Sequence, residues 1–217
     1  GWRIEIKKYP KLTEIGSKRS GTVVGHNSDV DDNIPYGGYY TQEDAKEIVR
    51  YAQQRHITVI PEIDLPGHTR ALLAAYPEMG CTQGPYEVGH NWGVYEDVLC
   101  LGNENIYPFL QDIIDELIPI FPAPYFHIGG DEAPTTRWQN CDRCKALAQK
   151  QGVSPKHLQG GFTNRLEKYI NSKGKKIIGW DEILEGDINP SATIMSWTGV
   201  TPGVKAAKAG HDVIFSP

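Results

Sequence analysis

Two adjacent acids, Asp131 and Glu132, follow a short apolar stretch, residues 125–128, from which Gly129 and Gly130 separate them. Neighbouring side chains on a regular strand point to opposite faces, so both acids can face one site only where the strand has ended. Glycine permits the bend that this requires. A carboxylate pair in this position is suited to general acid–base catalysis. The alternative interpretation is that both acids only begin a helix, where the dipole favours negative charge.

Other side chains suited to chemistry also stand at the ends of predicted strands. Asp64 and His68 follow residues 57–63, Trp180, Asp181 and Glu182 follow residues 176–179, and Trp197 follows residues 193–196. His127 lies on the strand before the acid pair, where alternation directs it into the core. Recurrence at the carboxyl ends of strands is typical of the (β/α)₈ barrel, whose active site is built from the loops at that face.

The elements that must position these residues alternate in type. Apolar strands are predicted at 57–63, 125–128, 176–179, 193–196 and 212–215, and helices at 41–56, 69–76, 106–121, 156–173 and 202–209. Residues 1–40 are predicted as a long loop with a hairpin at 21–27, and residues 77–104 as a second long loop. A loop is also predicted for the segment that carries Trp138.

This order predicts parallel β/α units of a (β/α)₈ TIM barrel rather than a doubly wound sheet, because no glycine-rich phosphate loop follows a strand. A barrel needs eight strands, and an open sheet would expose unpaired edges. We therefore expect residues 1–217 to form a partial catalytic barrel domain of about five units that lacks the first strands and the last.

Composition excludes several classes of protein. The 217 residues carry a formal net charge of -5, with 39% hydrophobic and 23% charged residues. No basic run predicts nucleic-acid binding, and no apolar stretch is long enough for a membrane span. We expect no cofactor and no metal ion.

The four cysteines leave two interpretations open. Cys141 and Cys144 have C-x-x-C spacing, but no second C-x-x-C or His pair completes a zinc site. Cys81 and Cys100 bracket a loop that a disulfide would restrain. Two local disulfides, which indicate an oxidising compartment, are the preferred prediction, and four free thiols are the alternative.

Four motifs resemble glycoside hydrolase family 20, the β-N-acetylhexosaminidases. They are H-I-G-G-D-E at 127–132, P-E-I-D-L-P-G-H at 61–68, G-W-D-E at 179–182 and the opening G-W-R. The resemblance implies a (β/α)₈ barrel that hydrolyses terminal non-reducing N-acetyl-β-hexosamine residues. It also implies a retaining mechanism in which the 2-acetamido group of the substrate is the nucleophile.

The resemblance also assigns roles. Glu132 is the general acid and then the base, while Asp131 orients and stabilises the acetamido group. His68, Trp180 and Trp197 bind the substrate, the two indoles enclosing the sugar. Residues expected to support these without touching the sugar are Asp64, His127, Asp181 and Glu182.

The implied substrates are oligosaccharides or glycoconjugates that end in N-acetylglucosamine or N-acetylgalactosamine. The substrate-gripping arginine and an aspartate that partners the histidine are expected before Gly1, so we expect the segment alone to be inactive or poorly folded. The cysteines and the resemblance predict a periplasmic or secreted protein. Two alternatives remain: a non-catalytic carbohydrate-binding relative, and a metal-dependent hydrolase or deacetylase with ligands from His68, His127, Asp131 and Glu132.

Overall fold

The computed structural model describes residues 1–216, in which short strands alternate with helices. The strands are β1 (Lys18–Arg19), β2 (Tyr36–Gly37), β3 (Tyr125–His127), β4 (Lys176–Trp180), β5 (Thr193–Ser196) and β6 (Val213–Phe215). The helices are α1 (Lys11–Glu14), α2 (Gln42–Gln53), α3 (Arg70–Ala75), α4 (Ile106–Leu117), α5 (Thr136–Asn140), α6 (Asp142–Gln151), α7 (Leu158–Ser172) and α8 (Val200–Lys208). Single 3₁₀ turns lie at Pro77–Met79, Pro155–His157 and Asp181–Glu185.

A parallel sheet in the order β3-β4-β5-β6 positions the carboxyl ends of four strands side by side. Its register pairs Phe126 with Ile177 and Ile194 with Val213. Phe126, Ile177 and Ile194 are almost fully buried, since helices cover the sheet. The predicted parallel pairing is therefore confirmed.

The predicted strand at 57–63 is wrong as a regular strand. The chain there runs parallel to β3 and bonds to it only near its end, where the Pro61 carbonyl accepts the N–H of His127 and Ile63 N–H donates to the His127 carbonyl. Pro61 has no N–H to donate. Ile57 is 57% exposed, so the first half of the stretch neither pairs nor packs as a buried strand does.

All five predicted helices are present as α2, α3, α4, α7 and α8, and two of them show the signals that predicted them. Thr41 caps α2 with a reciprocal capping box to Asp44, as its position before an amphipathic stretch predicted. α4 buries one apolar face that includes Phe109 and Ile113, and it ends ahead of Pro122.

Two predicted loops contain more structure than expected. The segment after the acid pair folds into α5 and α6 rather than an irregular loop. Near the start of the chain, β1 pairs with β2 and Val23 bridges Asp31, so the hairpin is wider than the predicted 21–27. Polar composition concealed both features.

Within the described residues, no helix is both long and apolar enough to cross a membrane.

Candidate active site

An open cavity of about 610 Å³ lies at the carboxyl ends of the parallel strands. Its lining includes six of the predicted site residues, Asp64, His68, Asp131, Glu132, Trp180 and Trp197, together with Glu62 and Ser216. A cavity of this volume lies within the range of small-molecule sites in proteins. The fold thus brings together side chains that are as far apart in sequence as Glu62 and Ser216.

The turn after β3 sets the direction of the two acids. Gly129 and Gly130 have φ values of 68° and 103°, a region that glycine occupies without steric cost. A Cβ on Gly129 would lie 1.8 Å from Oδ1 of Asp64. Glu132 itself has a φ of 46°, which is unusual for a residue with a side chain and is found at functional sites. The helix-start interpretation of these acids is wrong, since α5 begins only at Thr136.

His68 faces both acids of the pair. Its Nε2 lies 3.4 Å from Oδ2 of Asp131 and 3.2 Å from Oε2 of Glu132. The hydrogen bond to Asp131 and the surrounding carboxylates raise the pKa of His68 to about 9, against the opposing effect of burial. An imidazolium at this position neutralises part of the negative charge that the carboxylates concentrate.

A second pair of carboxyl groups, Asp64 and Asp131, lies behind this contact. Burial and the charge of Asp131 raise the pKa of Asp64 to about 8, and Asp64 Oδ1 accepts a hydrogen bond from Gly130 N–H at 3.2 Å. Burial acts to raise the pKa of Asp131 as well, but hydrogen bonds from His68 and Asp64 outweigh it and hold that pKa below its usual value. The cluster thus favours a protonated Asp64 beside an ionised Asp131. Among the described residues, the buried Oδ1 of Asp131 has no hydrogen-bond partner.

Trp180 and Trp197 form one wall of the cavity. Their ring centroids lie 6.4 Å apart at an interplanar angle of 71°, and Trp197 is 40% exposed. Such a pair presents both a ring face and an edge to the space above the acids, an arrangement suited to the apolar face of a sugar.

The comparisons with known proteins agree with this geometry. The family model described as glycosyl hydrolase family 20, catalytic domain, matches residues 1–217. The chain belongs to this family.

Three relatives illustrate the similarity of this family-20 segment. The β-hexosaminidase of Porphyromonas gingivalis is 49% identical, over all of this chain and 27% of that protein. The solved structure of Flavobacterium johnsoniae chitobiase is 37% identical with a TM-score of 0.84, over 100% of this chain and 31% of that one. That of the Vibrio harveyi exo-β-N-acetylglucosaminidase in complex with N-acetylglucosamine is 34% identical with a TM-score of 0.83, over 100% and 34%. The chain therefore spans between 27% and 34% of the length of these relatives, and its parallel sheet is an incomplete segment of a (β/α)₈ barrel.

In this family-20 segment, Asp181 and Glu182 lie beside Trp197 rather than in the cavity lining. Asp181 is buried, and its Oδ2 accepts hydrogen bonds from the backbone N–H groups of Trp197 and Thr198, each at 3.1 Å. Oε2 of Glu182 accepts the indole N–H of Trp197 at 3.1 Å. Burial raises the pKa of Glu182, which the Trp197 hydrogen bond partly offsets. Both acids fix the backbone and ring of Trp197.

His127 is buried beneath the wall, as its place on an alternating strand predicted. Its ring lies 5.1 Å from that of Trp180, and its Nδ1 accepts the N–H of Gly129 at 3.0 Å. Sequence reasoning missed Glu62, whose Oε1 lies 3.3 Å from the same Nδ1. The available signal was spacing, because Glu62 and Asp64 are two apart on an extended segment and share a face.

The cysteines of the family-20 segment lie elsewhere and form no disulfide, since all four are free thiols. The predicted local disulfides are wrong, because the sulfurs of Cys100 and Cys144, one from each predicted pair, are in contact at 3.7 Å. Trp138 beside them is fully buried and donates its indole N–H to the Leu99 carbonyl at 2.9 Å, which makes it a core residue.

Proposed function

We propose that this family-20 segment serves the hydrolysis of terminal non-reducing N-acetyl-β-hexosamine residues with retention of configuration. The single observation that carries the proposal is the position of His68 between Asp131 and Glu132, below the two tryptophans. It places one ionised carboxylate and one solvent-facing carboxyl group against the same small cavity. The chitobiase and β-hexosaminidase names of the relatives support the same reaction class.

Glu132 is the proton donor in this proposal. Its side chain is 39% exposed at the rim of the cavity, where a leaving-group oxygen can reach it. Glu132 protonates the glycosidic oxygen while the bond from that oxygen to the anomeric carbon breaks. The carbonyl oxygen of the 2-acetamido group attacks the anomeric carbon from the other face and forms an oxazolinium ring.

Asp131 stabilises that ring. Its free buried Oδ1 is placed to accept the acetamide N–H, which becomes more acidic as the ring gains positive charge. The bond from His68 keeps Asp131 ionised at neutral pH, and the protonated Asp64 adds no further charge behind it.

The second step reverses the first. Glu132, now a carboxylate, removes a proton from water as the water oxygen attacks the anomeric carbon. The oxazolinium ring opens, and the acetamido group returns to its original form with net retention. Trp180 and Trp197 exclude bulk water from the ring during this sequence.

The proposed partners are oligosaccharides or glycoconjugates with a terminal N-acetylhexosamine. The relative from Vibrio harveyi, solved with N-acetylglucosamine, supports this class of sugar. A periplasmic or secreted location is also a proposal. It now rests on the family alone, because the cysteines do not supply the disulfides that were its other support.

The test is turnover of a nitrophenyl N-acetyl-β-glucosaminide by the full-length protein. We expect Glu132→Gln to lower kcat by roughly 10²–10⁴-fold, the contribution of a positioned general acid. Glu185→Gln, the same change at an exposed position nearby, is the matched control and should leave kcat unchanged. Product of inverted configuration would contradict the mechanism.

A thiazoline that mimics the oxazolinium ring tests the identity of the nucleophile. If the acetamido group attacks, this compound should compete with substrate, and Asp131→Asn should weaken its binding. A sugar trapped covalently on a side chain during turnover would instead show that a protein carboxylate is the nucleophile.

A further inference from the structure

Four cysteine side chains from three separate segments converge on one point. Cys81 follows the first 3₁₀ turn, Cys100 lies at the far end of the long loop, and Cys141 and Cys144 flank the start of α6. The four sulfurs all lie within 4.8 Å of one another. Cys100, Cys141 and Cys144 are buried, and Cys81 is half-buried.

The separations of the sulfurs fit a single metal ion. Sγ of Cys100 lies 3.7 Å from those of Cys141 and Cys144, and Sγ of Cys81 lies 3.8 Å from that of Cys144. Four thiolates around zinc at about 2.3 Å each form a tetrahedron whose edges are about 3.8 Å long. A disulfide requires about 2.05 Å, which no pair approaches.

The backbone around the sulfurs is built to hold them together. Cys100 N–H donates to the Met79 carbonyl at 2.8 Å, which joins the segments of Cys81 and Cys100. A Cβ on Gly102 would lie 2.2 Å from the carbonyl carbon of Arg143. Only glycine therefore allows the backbone at residue 102 to pack against the C-x-x-C segment.

Charges around the cluster suit a thiolate site. A zinc ion with four thiolates carries a net charge of -2. The Arg143 guanidinium lies beside the sulfur of Cys141, and the backbone N–H of Gly102 faces that of Cys144. Arg143 also donates to the Gly80 carbonyl at 3.0 Å, which fixes the cation in place. Such outer contacts orient and stabilise metal ligands.

We propose that Cys81, Cys100, Cys141 and Cys144 bind one structural zinc ion. All four positions are taken by protein, so the ion has no open coordination site and takes no part in the hydrolysis. It joins both ends of the loop at 81–100 to the start of α6. This assignment revises the sequence-based expectation of no metal, which did not combine Cys81 and Cys100 with the C-x-x-C pair.

The test is the metal content of the full-length protein, purified without chelator from zinc-containing medium. We expect one zinc per chain, with X-ray absorption showing four sulfur neighbours at about 2.3 Å. Three results would each overturn the assignment. They are one iron per chain, two disulfides found by non-reducing mass spectrometry, or protein that is folded as purified, contains no metal and has four freely titrating thiols.

Variants separate ligand loss from misfolding. Cys81→Ser, at the half-buried position, should abolish zinc binding while circular dichroism stays native. Ala148→Ser places the same hydroxyl at a buried site of α6 and leaves all four sulfurs, so it should retain the zinc. Retention of one zinc per chain by both Cys81→Ser and Cys144→Ser would overturn the proposal.

Loss of the ion should also free the loop that it joins. We expect proteases to cleave within residues 82–99 several-fold faster in Cys81→Ser than in Ala148→Ser, because local opening governs cleavage. Equal cleavage rates would show that the cysteines do not restrain this loop.

Discussion

One histidine facing two carboxylates is the central feature of the site at the scale of residues. Asp131 and Glu132 both face His68, and the hydrogen bond to Asp131 is the largest influence that favours the charged form of the imidazole. The structure places the most strongly raised carboxyl pKa of this cluster on Asp64, because burial and the charge of Asp131 act together there. The neutral acid, Asp64, therefore lies behind the ionised one, Asp131.

This arrangement predicts a loss of stability as the pH rises. The pKa of His68 is about 9 in the folded protein and 6.5 in an unfolded chain, so its stabilisation is complete below pH 6.5 and is lost as the pH rises through 9. Asp64 acts in the same direction, because its pKa rises from 3.8 to about 8 on folding. The melting temperature should fall between pH 6.5 and 9, and His68→Gln should make this fall shallower.

His157→Gln is the control for that experiment, since His157 is exposed and outside the cavity. Its melting curve should follow the parent protein at every pH. If His68→Gln shows the same slope as His157→Gln, the imidazolium at position 68 is not the titrating group.

At the scale of elements, the turn after β3 determines where the acids point. Gly129→Ala would place a methyl group within 1.8 Å of the Asp64 carboxylate in a left-handed conformation. We expect this variant to lose more stability than the about 1–2 kcal/mol that a left-handed backbone alone costs, and to lose activity, because Asp64 and the acid pair must separate.

Gly152→Ala isolates the cost of the backbone conformation. Gly152 caps α6 with a φ of 67°, nearly equal to that of Gly129, and nothing lies within 4 Å of an added Cβ. It should cost only about 1–2 kcal/mol and leave kcat/KM unchanged. Equal denaturant midpoints for the two variants would mean that contact with Asp64 is unimportant.

Sequence reasoning succeeded for elements whose signals are local. The alternation of strands and helices predicted which side chains end at the same edge of the sheet, and hence that Asp64, His68, Asp131 and Trp180 meet. Sequence reasoning failed where the conformation of a segment depends on pairing with a distant segment. Residues 57–60 have strand composition, but they pair with no strand among the described residues.

The cysteine cluster was hidden for a related reason. Cys81 lies 63 residues before Cys144 and Cys100 lies 41 residues before Cys141, and no pattern within one element connects them. The prediction of local disulfides assumed that neighbours in sequence pair first. The fold instead brings the two ends of a loop to the start of a helix, which only long-range packing determines.

At the scale of the whole molecule, the open sheet is the dominant feature. Among the described residues, β6 pairs only with β5 and has no neighbour on its other side. Ile214 and Phe215 on this strand are 39% and 52% exposed. An unpaired apolar edge of this kind is a template for association with another chain, and full-length barrels remove it by closure.

We therefore expect residues 1–217, expressed by themselves, to self-associate through β6. Lack of activity in this segment remains the expectation from the sequence. Ile214→Lys should reduce this association, because a charged side chain on an edge strand opposes pairing. Val200→Lys is the matched control, since Val200 is 68% exposed at the start of α8 and belongs to no strand. Light scattering at equal concentrations should show smaller species for Ile214→Lys alone. Equal effects of the two substitutions would indicate that general charge, rather than the edge of β6, controls association.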